Sequence, residues 1–129
     1  MPELPALPRS ELEMARIVWD LKKATVRQVM DNLPADRQLD FFTVQTYLRR
    51  LAEKGYLSVK RDGRTNVYTP KMKPDRVIRS VVRDFLDQLF DGKALPLMQH
   101  LLQEEELTDD QLTQLRSELD AIRNKESKP

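Results

Sequence analysis

The chain has 129 residues, 40% hydrophobic and 33% charged, room for one ordinary domain or a small domain with an appendage. It holds no cysteine, which excludes a disulfide framework and a thiolate metal site, and no run nears the ~18 apolar residues of a transmembrane helix. Its net charge of +1 conceals two halves of opposite sign: residues 1–73 carry 14 Lys and Arg against 9 Asp and Glu, residues 74–129 carry 8 against 12. A basic half and an acidic half suggest separate tasks, the first able to meet a polyanion. Residues 1–9 carry three prolines and no apolar stretch, so they do not read as a signal peptide, and the expectation is a cytoplasmic protein without membrane insertion.

In chain order, Ser10 and Glu13 have the spacing of a capping box and open a first helix from about Glu11 to Leu21, with Leu12, Ile17 and Leu21 on one side. Lys22-Lys23-Ala24 is a short break. Thr25 caps a second helix carrying Val26, Val29, Met30 and Leu33, which Pro34 stops. A polar connector follows. The third helix starts near Phe42 or Thr43, where Val44, Tyr47, Leu48 and Leu51 form a core stripe and Gly55 marks the stop. Residues 56–60 and 65–69 read as two strands joined at Asp62-Gly63, a β-hairpin.

Pro74 suits the first turn of a fourth helix bearing Val77, Ile78, Val81, Val82, Phe85, Leu86, Leu89 and Phe90. A fifth carries Leu95, Leu97, Met98, Leu101 and Leu102. Thr108 and Gln111 make a capping box for a last helix with Leu112, Leu115, Leu119 and Ile122, and the tail from Asn124 reads as frayed. The fold class is therefore mainly α with a small β-hairpin wing: a winged helix-turn-helix in residues 1–73 and a helical dimerisation arm in 74–129. Three amphipathic helices in so short an arm form little core alone. The expected interface is Val81, Phe85, Leu89, Phe90, Leu97, Leu101, Leu102, Leu112, Leu115 and Leu119, with an arm folded back on its own winged helix as the monomeric alternative.

Three helices and a basic hairpin set the third helix up to enter the major groove. Thr43, Gln45, Thr46, Arg49 and Arg50 lie off its core stripe; Gln pairs with adenine, Arg with guanine, and Thr offers a hydroxyl and a methyl. Lys60, Arg61 and Arg64 put three cations around the hairpin tip, suited to phosphates or a narrow minor groove, or simply to guarding a sheet edge. An enzyme is not indicated: the single histidine, His100, sits in an apolar helical run, and three glycines supply no phosphate-cradling loop. Glu104-Glu105-Glu106 points in different directions around a helix, a solvated corner rather than a metal site. No cofactor is expected. The reading is a homodimeric, sequence-specific repressor on double-stranded DNA. A winged-helix protein-interaction module that ignores DNA and a nonspecific nucleic-acid scaffold are the alternatives.

Several stretches resemble the penicillinase repressors and methicillin-resistance regulators: residues 12–19 (LEMARIVW), 25–29 (TVRQV), above all 41–57 (FFTVQTYLRRLAEKGYL), and 85–92 (FLDQLFDG), reaching the closing helix through residue 119. The resemblance covers roughly residues 8–123. It implies a dimer with winged helices on DNA and interlocked C-terminal helices, repressing resistance genes and its own operon. It also implies a sensor protease as partner and a proteolysis site in the fifth helix. That bond falls at His100–Leu101, where the family has Asn-Phe. The paired C-terminal cysteines of copper-responsive relatives are missing here.

Overall fold

The computed structural model of the chain describes residues 4–126. Eight elements follow in order: α1 (Arg9–Leu21), α2 (Val26–Asp31), α3 (Phe41–Glu53), β1 (Leu57–Asp62), β2 (Thr65–Pro70), α4 (Pro74–Leu89), α5 (Ala94–Glu104) and α6 (Asp109–Glu126). They divide into two compact units, the first ending at Val82 and the second beginning at Arg83. The division falls inside α4, beyond the boundary at residue 73 that the sequence suggested.

The first unit owns the core. Met14, Ala15 and Val18 of α1, Val29 of α2, and Val44, Leu48 and Leu51 of α3 are fully buried. Leu57 and Tyr68 of the hairpin and Val77 of α4 close the same cluster, with Trp19, Tyr47 and Val81 packed against its margin. Two apolar turns of α4 therefore belong to the winged helix. The apolar stripe of α3 is buried as its period requires, save that Tyr47 stays only half-buried.

Helix ends explain where the elements start and stop. Thr25 caps α2 through a reciprocal box: its Oγ1 accepts from Gln28 N at 3.1 Å and its N–H donates to Gln28 Oε1 at 2.9 Å. At the far end of α3, Gly55 adopts φ +88°. Tyr56 N donates to the Leu51 carbonyl and Gly55 N to that of Ala52, a left-handed cap that only glycine enters at no steric cost. The helix begins earlier than expected because Asp40, read as connector, is its N-cap, accepting from Thr43 N at 2.7 Å.

The expected box at Ser10 and Glu13 does not form. The N-cap of α1 is Pro8, with no side-chain cap, and its carbonyl takes the first helical bond, from Leu12 N. Ser10 and Glu13 instead hold the connector between α2 and α3: Arg37 pairs with Glu13 at 2.8 Å and reaches Ser10 Oγ at 3.4 Å. A second ion pair fixes the other end of α3. Lys54 Nζ donates to Glu11 Oε1 at 2.6 Å and to the Ala6 carbonyl at 2.8 Å, and Glu11 is 2% exposed. A buried carboxylate is tolerable only with such partners.

The hairpin is longer than read. β1 begins at Leu57, with Tyr56 buried just before it, and the register pairs Asp62 with Thr65. Gly63-Arg64 is thus the two-residue loop, with Gly63 at φ +64° in its first position, where such hairpin turns want glycine. The supposed break after α1 also has a task. Ala24 exchanges two backbone hydrogen bonds with Tyr68, at 2.9 and 2.8 Å, and pins β2 to the helices.

In the second unit, Leu86 is buried and Phe85 and Phe90 meet at 6.0 Å between ring centroids. Asp91 and Gly92, both at positive φ, turn the chain out of α4. Thr108 and Gln111 form the expected box at α6. No residue of α5 or α6 is buried. Asn124 to Glu126, expected in a frayed tail, are helical; the rest of that tail lies outside the described residues.

Candidate nucleic-acid interface

Three pieces of the first unit build one surface: the N-terminal turn of α2, the uncovered side of α3, and the hairpin tip. The core takes Val44, Leu48 and Leu51, so the helical period forces Thr43, Gln45, Thr46, Arg49 and Arg50 toward the helix flanks and outer face. Arg49 and Arg50 are exposed; Thr43, Gln45 and Thr46 are half-buried.

These residues fall into distinct groupings. Gln45 shares a groove with Arg64 of the hairpin tip, Arg27 of α2 and Phe41. Thr43, Thr46 and Arg50 share a second, shallow groove with Phe42 and Tyr47. Lys60 and Arg61 are exposed on β1 but line a different groove, with Lys23, Gln28 and Asn32. The three wing cations thus do not act at one point. Arg64 stands with Gln45 and Phe41 of α3, while Lys60 and Arg61 extend the cationic surface along α2. Arg61 Nε also donates to the Gly63 carbonyl at 3.2 Å, which ties its guanidinium to the turn.

Two side chains are less free than their type suggests. Thr46 Oγ1 donates to the Phe42 carbonyl at 2.8 Å, so its proton is committed and its lone pairs and methyl remain for a partner. The positive charge of Arg49 acts on the Tyr68 phenol. Burial raises the pKa of Tyr68, while a hydrogen bond from Asn66 and the Arg49 charge oppose the shift. Arg49 is therefore within electrostatic reach of Tyr68 on β2 while its side chain stays exposed on α3. At the start of α3, the Thr43 amide holds the Asp40 carboxyl below its ordinary value, keeping a fixed anion on the helix N-terminus.

Arg27, Lys23, Asn66, Phe41 and Phe42 belong to this surface and were missed as site residues. Phe42 carried a legible signal, since it is apolar yet off the stripe of Val44, Leu48 and Leu51. Arg27 and Lys23 carried none, because only the Ala24–Tyr68 pairing brings their segment beside the hairpin.

The residues expected at a dimer interface divide by environment. Val81 packs on the winged-helix core. Phe90 and Leu97 are half-buried, whereas Phe85, Leu89, Leu101, Leu102, Leu112, Leu115 and Leu119 are exposed. Ile78, Val82, Leu95, Met98 and Ile122 are exposed too and extend the list. His100 and Leu101 lie within α5, both exposed. Among the described residues no helix is long and apolar enough to cross a membrane.

A family model described as "Penicillinase repressor" matches residues 7–121. A penicillinase repressor of Bacillus licheniformis is 26% identical over 125 residues, 97% of this chain and 98% of that protein. The methicillin resistance regulatory protein MecI of Mammaliicoccus sciuri is 22% identical over 108 residues, 84% of this chain and 88% of that protein. Among solved structures, the DNA-binding domain of the repressor BlaI is 31% identical, with a TM-score of 0.50, covering 57% of this chain and 90% of that one.

Proposed function

Because the chain belongs to the penicillinase repressor family, we propose that it is a sequence-specific, DNA-binding transcriptional repressor rather than an enzyme, acting in the cytoplasm as a homodimer on an inverted repeat. The observation that carries the reading is the surface of α3. Hydrogen-bonding side chains able to pair with base edges stand beside the Arg64-bearing turn of the hairpin. The core stripe on the opposite side and the caps at both ends hold this helix rigid. A domain likeness to a DNA-binding repressor domain supports the same reading.

A docking mode goes with this reading. α3 enters the major groove, where its N-terminal residues reach the bases. Gln45 pairs with adenine and Arg50 with guanine. Arg27, Arg64, Lys60 and Arg61 meet phosphates, which set affinity and register rather than sequence. In the second unit, each large apolar side chain that a second copy covers contributes about 1.5–3 kcal/mol. A two-fold pair then presents two copies of α3 to half-sites about 10 base pairs apart, or a multiple of that.

Repression of a resistance or stress operon, relieved by a sensor protease, is the regulation this family membership suggests. The bond His100–Leu101 is exposed but helical, so its cleavage requires local unwinding of α5 first. Selection of bound duplexes from a random pool with the full chain tests the function. Enrichment of an inverted repeat is expected; recovery of no preferred sequence would overturn it.

A further inference from the structure

Phe42 has no place in the core. At 76% it is the most exposed large apolar side chain among the described residues, and it sits in the first turn of α3. Phe41 meets it edge-on, with centroids 6.2 Å apart and planes at 89°. Phe42 precedes Thr46 by four residues and Arg50 by eight, so the three share one helix face, and they line the same shallow groove. The hydroxyl proton of Thr46 is spent on the Phe42 carbonyl. The front of the reading helix therefore offers an aromatic ring and a methyl-bearing side chain, with a guanidinium further along the face.

In the major groove one base edge presents an apolar group, the C5-methyl of thymine. We infer that Phe42 is a specificity-determining residue that reads a thymine C5-methyl, with Thr46 beside it and Arg50 free to pair with a nearby guanine. The inference rests on the DNA-binding reading above. DNA is the occupant the surroundings favour. Arg50 lines the same groove together with the Asp40 cap carboxylate, and Arg27 and Arg64 line a second groove with Phe41; three guanidiniums against one carboxylate suit phosphates better than an apolar protein face. The patch is also continuous with the surface formed by α3 and the hairpin.

The test uses the full chain and synthetic duplexes of its selected operator, with each thymine replaced singly by uracil, which removes only the methyl. For wild type, uracil at one or more thymines of each half-site is expected to weaken binding about fourfold. F42A should bind the thymine and uracil duplexes equally, while F42L keeps part of the preference. Circular dichroism of both variants should match wild type because the side chain is exposed. Indifference of the wild type to every uracil, or full thymine preference in both variants, overturns the inference. Failure to select any sequence defeats the DNA-binding reading itself, whereas a selected operator that tolerates uracil everywhere defeats only the assignment of Phe42.

Discussion

The two units of this chain use the same kind of sequence signal to opposite ends. In the first, apolar side chains at helical spacing disappear into a shared core: Val18 of α1, Val29 of α2 and Leu48 of α3 are fully buried. In the second, spacing of the same kind on α5 and α6 buries nothing, and Leu101, Leu115 and Leu119 stay open to water. Periodicity reports which side of a helix is apolar, not what covers it. A small unit whose buried apolar residue among those described is Leu86 needs another surface to justify its helices. On the account given above that surface is a second copy.

The sharpest way to break the comparison is to separate the units. A fragment ending at Val82 keeps Val77 and Val81 and is expected to fold as a monomer. It should bind the full operator at least about 100-fold more weakly than the whole chain, because its half-sites are no longer linked. Binding by fragment and whole chain with equal affinity on a gel-shift titration would show that the arm contributes nothing.

Single substitutions should then behave differently in the two units. L48A is expected to cost about 2–5 kcal/mol in denaturant unfolding, whatever the protein concentration. L115A should cost less, and its cost should vary with concentration, as it does when folding is linked to association. If both losses are independent of concentration, the contrast between core and interface fails.

Smaller effects sharpen the picture of how α3 is held. K54M leaves the buried Glu11 carboxylate without its partner and is expected to cost about 1–3 kcal/mol, measured by chemical denaturation. An unchanged midpoint would mean that the pair does not anchor the helix. T25A removes the reciprocal cap of α2 and should cost about 1 kcal/mol, with amide exchange rising first in α2.

The smallest effect is a pH dependence at Asp40, whose carboxyl is held below its ordinary value by the Thr43 amide. A carboxylate of lowered folded-state pKa stabilises above its unfolded value, 3.8, and loses that contribution as pH falls through the lower folded value. D40N should flatten the acid limb of the stability curve relative to wild type. An unchanged acid limb would mean that the cap has no stake in stability.

Much of this was legible in the sequence where local rules decide. The stripe of α3, the box at Thr25, the box at Thr108 and the glycine after Lys54 each depend on residues within one or two turns. What escaped depends on distant partners. Ser10 and Glu13 have the spacing of a cap, yet Arg37, more than 20 residues away, claims both. Ala24 looks like a break because one bridging residue leaves no alternation to read. The wing cations were legible as a group, but the register of the hairpin decides that Arg64 stands by Gln45 while Lys60 and Arg61 line another groove. Phe42 was visible as an aromatic off the stripe, and its meaning emerges only when the core is seen to leave it bare.

The central claim is that the second unit is completed by another copy of the chain. Sedimentation equilibrium of the full chain without DNA, across micromolar concentrations, tests it most directly. The account predicts a mass twice that of the 15.1 kDa chain, falling toward the monomer on dilution or when Leu115 and Leu119 are both changed to Asp. A monomeric mass at every concentration would contradict it.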